Sequence, residues 1–375
     1  MTKRKATNME VKKSNRNQIF RYLCKNDNIS NPDIAYALKV SVPTVTQNTK
    51  ELIERGLVEE VGELESTGGR RAKGLSVVKN SCVAAGLDIT KNHIRLLLTN
   101  LVGEILRYEC IRIPYRTEET YYCEVNDRLE QFLKESEIDR DKLLGIGISF
   151  PGIVNLDQEK IIYSHVLGVR HLPFEEVSRH FAYPCTFLND ANAGAFAEGV
   201  QAEEPERFFY LSLSNSVGGA IYSEKNLVQG KAFRCGEVGH MTLVPDGRAC
   251  YCGKKGCMDA YCSAKILADY ADGKLENFFQ QLEQGDTKCQ ELWEEYTDWL
   301  AVAINNIHMV LDCDIVLGGY VGSFTRPYIS DIWKKVYERN TFEEPIPFIR
   351  AGNHKMETAA LGAALKVIEQ FVETV

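Results

Sequence analysis

The densest chemistry in the chain lies in the string GHMTLVPDGRACYCGKKGC, where His240, Cys250, Cys252 and Cys257 place one imidazole and three thiols within eighteen residues. Four such groups complete a tetrahedral shell for a soft divalent metal, and the glycines of C-x-C-G-x-x-G-C let the backbone wrap around it. A redox pair or a chance group of reduced thiols is the alternative, but neither asks for a histidine and three cysteines at once. A closed shell leaves no position for an activated water. The expected cofactor is therefore structural zinc, with the task of holding His240 and its neighbours rigid. Cys235 and Cys262 lie close by and are surplus to the set.

Carboxylates gather around the same clip. Glu237 stands three residues before His240 in GEVGH, and Asp259 two residues after Cys257. Asn189 and Asp190 end the strand-like PCTFLND and open into the small-residue helix ANAGAFAEG. Strand ends in α/β folds are where ligands bind, and amide plus carboxylate groups suit adjacent hydroxyls better than they suit an anion. A polyhydroxylated ligand is the expectation. For Asn189 and Asp190 the rival reading is a helix N-cap and nothing more.

These residues need a frame. Residues 82–113 read as three apolar strands broken by turn residues, and residues 208–233 repeat the plan, each unit being followed by helical stretches. The expectation is a duplicated α/β architecture with a cleft between two lobes, two unrelated α/β domains being the alternative. Helical sequence at 283–310, the buried strand CDIVLGGY and the helix METAALGAALKVIEQF complete it.

The first eighty residues differ in kind. Three short helices fit NQIFRYLCKN, the stretch after Asn31-Pro32 and the stretch after Ser41-Val42-Pro43. Asn31 and Ser41 are natural N-caps and Gly56 a natural stop. Ile19, Leu23, Ile34, Leu38, Val45, Leu52 and Ile53 supply a small core, and the close spacing of the second and third helices predicts a helix-turn-helix. A hairpin wing with the tip STGGRR follows. The third helix is expected to expose Thr44, Thr46, Gln47, Asn48 and Lys50 toward a major groove, with Arg70 and Arg71 of the wing reaching a minor groove. A small protein-interaction domain is the bland alternative.

Charge agrees with a DNA-binding head. Residues 1–80 hold 15 Lys and Arg against 9 Asp and Glu, net +6, whereas the remainder carries 29 against 43, net −14. Only the head should attract a polyanion. No apolar run reaches the ~20 residues of a membrane span, and no signal peptide is expected behind the basic start. A cytoplasmic protein with no membrane partner follows, in which the twelve cysteines are thiols or metal ligands rather than disulfides.

Taken together, NDANA, GEVGH, the cysteine motif, the upstream GIGISFPGIVN and a winged helix ending in S-T-G-G-R-R resemble the ROK family of repressors, open reading frames and kinases, over nearly the whole chain. The resemblance implies a winged helix-turn-helix at residues 1–78 and, at 79–375, an actin-like ATPase (ribonuclease H-like) fold of two lobes with its zinc motif at 240–257. It implies sugar contacts from Asn189, Asp190, Glu237, His240 and Asp259. In the family's kinases the residue matching Asp190 is the catalytic base, and the position of Asp259 is usually Glu. Those kinases also carry two Gly-rich phosphate loops. Here the first reads Asp88-Ile89-Thr90-Lys91-Asn92 and the second Ser214-Asn215-Ser216-Val217-Gly218-Gly219-Ala220, while Gly318-Gly319 persist on the adenosine side. Side chains at former glycines crowd a phosphate path. The expectation is a non-catalytic, ATP-free sensor of a sugar or sugar phosphate in a DNA-binding regulator, a repressor, paired as homodimer or homotetramer on a double-stranded operator. The alternative is an active ATP-dependent kinase of a hexose or N-acetylhexosamine with an added DNA-binding domain.

Overall fold

The computed structural model describes residues 8–63, 73–200, 202, 207–342 and 346–375. The head begins with α1 (Asn8–Lys25), α2 (Asn31–Leu38) and α3 (Val42–Glu54), followed by the antiparallel pair β1 (Val58–Glu63) and β2 (Lys73–Val77). Ser41 caps α3 as the sequence predicts, its Oγ accepting from Thr44 N at 3.3 Å. For α2 the cap is Ser30 instead of Asn31. Asn31 is used elsewhere: its side-chain oxygen accepts from Thr49 Oγ1 at 3.0 Å and so ties α2 to α3. Gly56 ends the third helix in the left-handed region, at φ +70°.

The first lobe carries β3 (Val83–Ile89), β4 (Ile94–Asn100), β5 (Ile105–Ile111), α4 (Glu119–Glu135), β6 (Leu143–Phe150), a small antiparallel flap of β7 (Ile153–Asn155), β8 (Lys160–Ser164) and β9 (Val169–Pro173), then α5 (Phe174–Ser178), β10 (Cys185–Asn189) and α6 (Asp190–Val200). The second lobe carries β11 (Phe208–Leu213), β12 (Val217–Ser223), β13 (Asn226–Leu227), α7 (Asp259–Cys262), α8 (Ala264–Ala268), α9 (Leu275–Glu283), α10 (Thr287–Leu311), β14 (Asp314–Gly318), α11 (Gly319–Gly322), α12 (Ile329–Tyr337), β15 (Ile349–Ala351) and α13 (Thr358–Thr374).

The duplication is explicit in the topology. One sheet runs β10-β6-β3-β4-β5 and the other β13-β12-β11-β14-β15. Each has a three-stranded antiparallel meander whose first strand also pairs in parallel with the next two strands' layer: β3 with β6, and β11 with β14. Every residue of β3 and β4 is buried, so both faces of that sheet are covered.

One of those covers is α13, which crosses back onto the first lobe. It lies so close that a Cβ on Gly86 would come within 2.0 Å of Ala360 O, and one on Gly147 within 1.9 Å of Ala363 O. Gly362 does the same for the facing helix, where a Cβ would stand 1.7 Å from Ala193 O of α6. At its far end α13 meets the head. Ile19, Phe20 and Leu23 of α1 share one buried cluster with Leu365, Ile368 and Val372, so the head's core is continuous with the lobe's. Ion pairing reinforces this. Arg21 pairs with Glu369, while Arg16 and Arg55 both donate to Val375 O. Arg16 also pairs with Glu51 of α3 at 2.6 Å. The helix expected to read DNA is thereby fastened to α13. Of the sequence-derived head core, Leu38 and Ile53 are only partly buried and pack on its edge.

Candidate sugar and metal site

The segment after β13 carries few regular elements, and its shape depends on glycine. A 3-10 turn, Val238–His240, presents the histidine; two isolated bridges, Thr242 with Cys257 and Ala249 with Lys255, then fold the chain into a knuckle. Gly256 sits at φ +78°, and a Cβ there would meet Val244 O at 1.8 Å. The four predicted ligands converge. Nitrogen and sulfur atoms of His240, Cys250, Cys252 and Cys257 all lie within 4.8 Å of one another. A tetrahedral shell with metal–sulfur bonds of about 2.3 Å spaces its ligand atoms about 3.8 Å apart; Cys252 Sγ and Cys257 Sγ already stand at 3.7 Å, and the other atoms need to draw in by no more than about 1 Å to complete it. His240 Nδ1 is buried and has no hydrogen-bond partner, and burial holds the ring's pKa below its ordinary value, keeping it neutral as a ligand must be. The donor set therefore fits a metal.

Beside the knuckle, between the lobes, lies a cavity of about 380 Å³. Asn189, Asp190, Glu237 and His240 line it, and so do two residues the sequence reading passed over, His165 from the flap side and Tyr251 from the knuckle. Tyr251 sits between two of the cysteines, and its ring is 5.3 Å from that of His165 and 5.6 Å from that of His240. Tyr163 hydroxyl and His165 Nδ1 are 2.6 Å apart, which fixes the imidazole. A tyrosine inside the cysteine motif was the available signal for one of them. Nothing local marks His165.

Asn189 is the helix cap that one reading of its sequence allowed, and it also lines the cavity. Its Oδ1 accepts from Asn192 N at 3.0 Å and caps α6, while its Nδ2 donates to Gly152 O at 2.8 Å and to Asp190 Oδ1 at 3.0 Å. Asp259 departs from expectation. It is buried outside the cavity wall, with Oδ2 accepting from Val217 N at 2.7 Å and from Tyr251 hydroxyl at 3.3 Å. An aspartate is one methylene short of the usual glutamate, and the nearer backbone amide claims it.

Desolvation, with the neighbouring charge of Asp88, pushes the Asp190 carboxyl from 3.8 up to about 7. The unfolded chain would ionise this group near its ordinary value, so the native state holds the extra proton and loses stability as pH rises from about 4 to about 7. The open face toward the cavity tempers the effect. Asp190→Asn should match the wild type near pH 4 and exceed it by about 1 to 2 kcal/mol at pH 8 in urea melts; an equal gain at both pH values would refute the assignment.

The other end of the cleft is narrow, a cavity of about 70 Å³ lined by Asp88, Thr90, Lys91, Ser214, Asn215 and Tyr320. Gly318 and Gly319 have a packing reason to remain glycine. A Cβ on the first would meet the Tyr210 ring at 2.2 Å, and the second, at φ +74°, would meet Ser214 Oγ at 2.6 Å.

On α3, Thr46, Gln47 and Lys50 are exposed and Thr44 is half-buried. Asn48 is a correction. It is 2% exposed and donates from Nδ2 to Thr44 O at 2.8 Å, because its side of the helix faces the head's own core. Arg70 and Arg71 fall outside the described residues.

The family model "ROK family" matches residues 84–370, and a model for a winged helix-turn-helix DNA-binding domain matches residues 14–59. This chain belongs to the ROK family. The regulator-type head makes this ROK protein a DNA-binding transcription regulator, in keeping with its relatives. It is 25% identical to the xylose repressor of Bacillus spizizenii, with 97% of each chain covered. It is 28% identical to the DNA-binding transcriptional dual regulator NagC of Escherichia coli, over 72% of this chain and 67% of that one. Among solved structures, a ROK family transcriptional regulator described as a homologue of the E. coli MLC protein shares the fold at TM-score 0.76 and 20% identity, covering 97% of both chains. A ROK family glucokinase from Streptomyces griseus, solved with glucose and AMPPNP, shares it at 0.66 and 21% identity over 76% of this ROK chain and 98% of its own. The two-lobed, actin-like sugar-kinase fold expected from the sequence is thus the fold of the ROK domain.

Proposed function

We propose that this regulator is a sugar-responsive repressor: its ROK domain binds a sugar or sugar phosphate in the 380 Å³ cavity without turning it over, and its heads, paired in a homodimer or homotetramer, hold a palindromic operator. The observation that carries this reading is α13, whose first residues, Thr358 and Ala359, line the cleft while its last turns are pinned to α1 and, through Arg16, to α3. A ligand that favours one lobe arrangement has a rigid element through which to reorient the heads. Asn189, Asp190, Glu237 and His240 are the proposed sugar contacts, with His165 and Tyr251 as the wall. Asp259 acts behind them, holding Val217 and Tyr251. The knuckle metal is zinc, bound by His240, Cys250, Cys252 and Cys257 in a closed structural shell.

On DNA, Thr46, Gln47 and Lys50 make the groove contacts, Thr44 sits at their edge, and Arg70 and Arg71 come from the wing. The domain boundary falls between residues 78 and 79, and the protein works in the cytoplasm; among the described residues no helix is long and apolar enough to cross a membrane. Fluorescence anisotropy with genomic operator fragments, titrated in the presence of pentoses, hexoses, N-acetylhexosamines and their 6-phosphates, is the test. One sugar should shift operator affinity at least about tenfold, and Lys50→Ala should weaken binding while lowering the salt slope by about 1. Steady phosphorylation of a sugar by Mg·ATP, abolished by Asp190→Asn, would overturn the non-catalytic reading in favour of a kinase with a DNA-binding head.

A further inference from the structure

Beneath the narrow end of the cleft lies a charge pair that the proposed sugar binding does not use. Asp88 on β3 and Arg95 on β4 are direct cross-strand partners. Each is 3% exposed, and Arg95 Nη1 donates to Asp88 Oδ2 at 2.9 Å. The other carboxylate oxygen is also taken, accepting from Ser149 Oγ at 2.8 Å. The guanidinium carbon then stands 4.9 Å from the ring centroid of Tyr320, which belongs to α11 in the opposite lobe. A buried arginine needs compensation for its lost hydration; here the carboxylate of Asp88 and the face of Tyr320 supply it, while Nε has no hydrogen-bond partner.

This arrangement does not fit a metal-bound nucleotide. A divalent cation such as magnesium takes carboxylate oxygens together with waters and phosphate oxygens in an open octahedron. Both oxygens of Asp88 already accept hydrogen bonds, a fixed positive charge already faces it, and Tyr320 together with the side chains of Ser214, Asn215 and Ser216 narrows the cavity to about 70 Å³. Resting on the sugar-sensing reading above, we propose that Arg95 is the resident cation of this cleft: it takes the place at Asp88 that a metal–nucleotide complex would need and, through Tyr320, ties the two lobes at that end, so that the adjoining cavity selects a sugar without metal or nucleotide.

Arg95 is then a specificity-determining residue, and removing its charge should reopen the position it holds. Calorimetric titration of the zinc-loaded full chain with Mn²⁺ and with Mg·ATP is the experiment, using wild type, Arg95→Gln and the double variant Arg95→Gln/Asp88→Asn. Glutamine preserves much of the volume and a hydrogen bond to Asp88, and the double variant buries no lone charge, so near-ultraviolet dichroism of the pair separates misfolding from altered binding. The wild type should bind neither ligand in the millimolar range. Arg95→Gln should bind Mn²⁺ at least about tenfold more tightly than wild type, and the double variant should lose that gain. Binding of Mg·ATP by the wild type with Kd below about 0.1 mM, or a folded Arg95→Gln that gains no Mn²⁺, overturns the proposal. Should Arg95→Gln fail to fold, Tyr320→Ala opens the same end with the ion pair intact: continued exclusion of Mn²⁺ supports a cation already in place, and Mn²⁺ binding contradicts it. A sugar panel on the wild type, read by melting temperature, is scored separately. Its failure would remove the sugar reading and leave the cation result standing.

Discussion

Replacing Cys257 by serine is expected to abolish stoichiometric zinc, to lower the melting temperature by roughly 10 °C, and to eliminate any response to sugar. The size follows from how little else holds the knuckle. Two isolated bridges and a few turn hydrogen bonds join His240 to Cys257, with no extended strand or long helix between them. Three cavity groups depend on that segment: Glu237 precedes the histidine, His240 is itself a ligand, and Tyr251 stands between two cysteines. Metal analysis and differential scanning calorimetry give the readout, with Cys110→Ser as the control, since Cys110 is an exposed free thiol on β5. An unchanged metal content and melting temperature in Cys257→Ser would remove the structural-zinc assignment.

Asp190→Ala should weaken sugar binding more than 100-fold, on the order of 3 kcal/mol for charge-assisted hydrogen bonds to a ligand hydroxyl pair. Operator affinity without sugar should stay at the wild-type level, because Asp190 stands at the start of α6 and lines cavities to which no residue of the head contributes. Loss of the response through misfolding is separable. Desolvation makes the ionised Asp190 a burden on the ligand-free protein at pH 8, so its replacement should not lower stability there. A sugar-responsive Asp190→Ala protein would mean that the cavity ligand lies elsewhere.

What could be read from the sequence was local. Four candidate metal ligands within eighteen residues, a serine cap on α3 and two strand-turn-strand units each declare themselves through spacing. What could not be read depended on a distant partner. Asp259 is claimed by the amide of Val217 and Asn48 by the carbonyl of Thr44 and the head's interior, so residue type alone misassigned both. His165 reaches the cavity only because the flap β7–β9 folds over, and short strands among turn residues gave little periodicity to reveal that flap. Arg95 was visible in principle: an arginine inside the apolar run IRLLLTN asks for a buried partner. Its neighbour in the register, Asp88, is that partner.

The docking of the head on α13 has a consequence for how the protein is made. Arg16 and the residue whose carbonyl it holds, Val375, are 359 positions apart, and the α13 surface that seats α1 follows every strand of both sheets in the chain. During synthesis the DNA-reading helix emerges first and waits for its seat until the sensor has closed around α13. A chain interrupted before Thr358 would display the apolar faces of Ile19, Phe20 and Leu23, as well as the uncovered sheet beneath Gly86 and Gly147. Such surfaces invite aggregation and disposal. The topology thereby biases the cell against half-made regulators that could occupy an operator without a complete ROK domain.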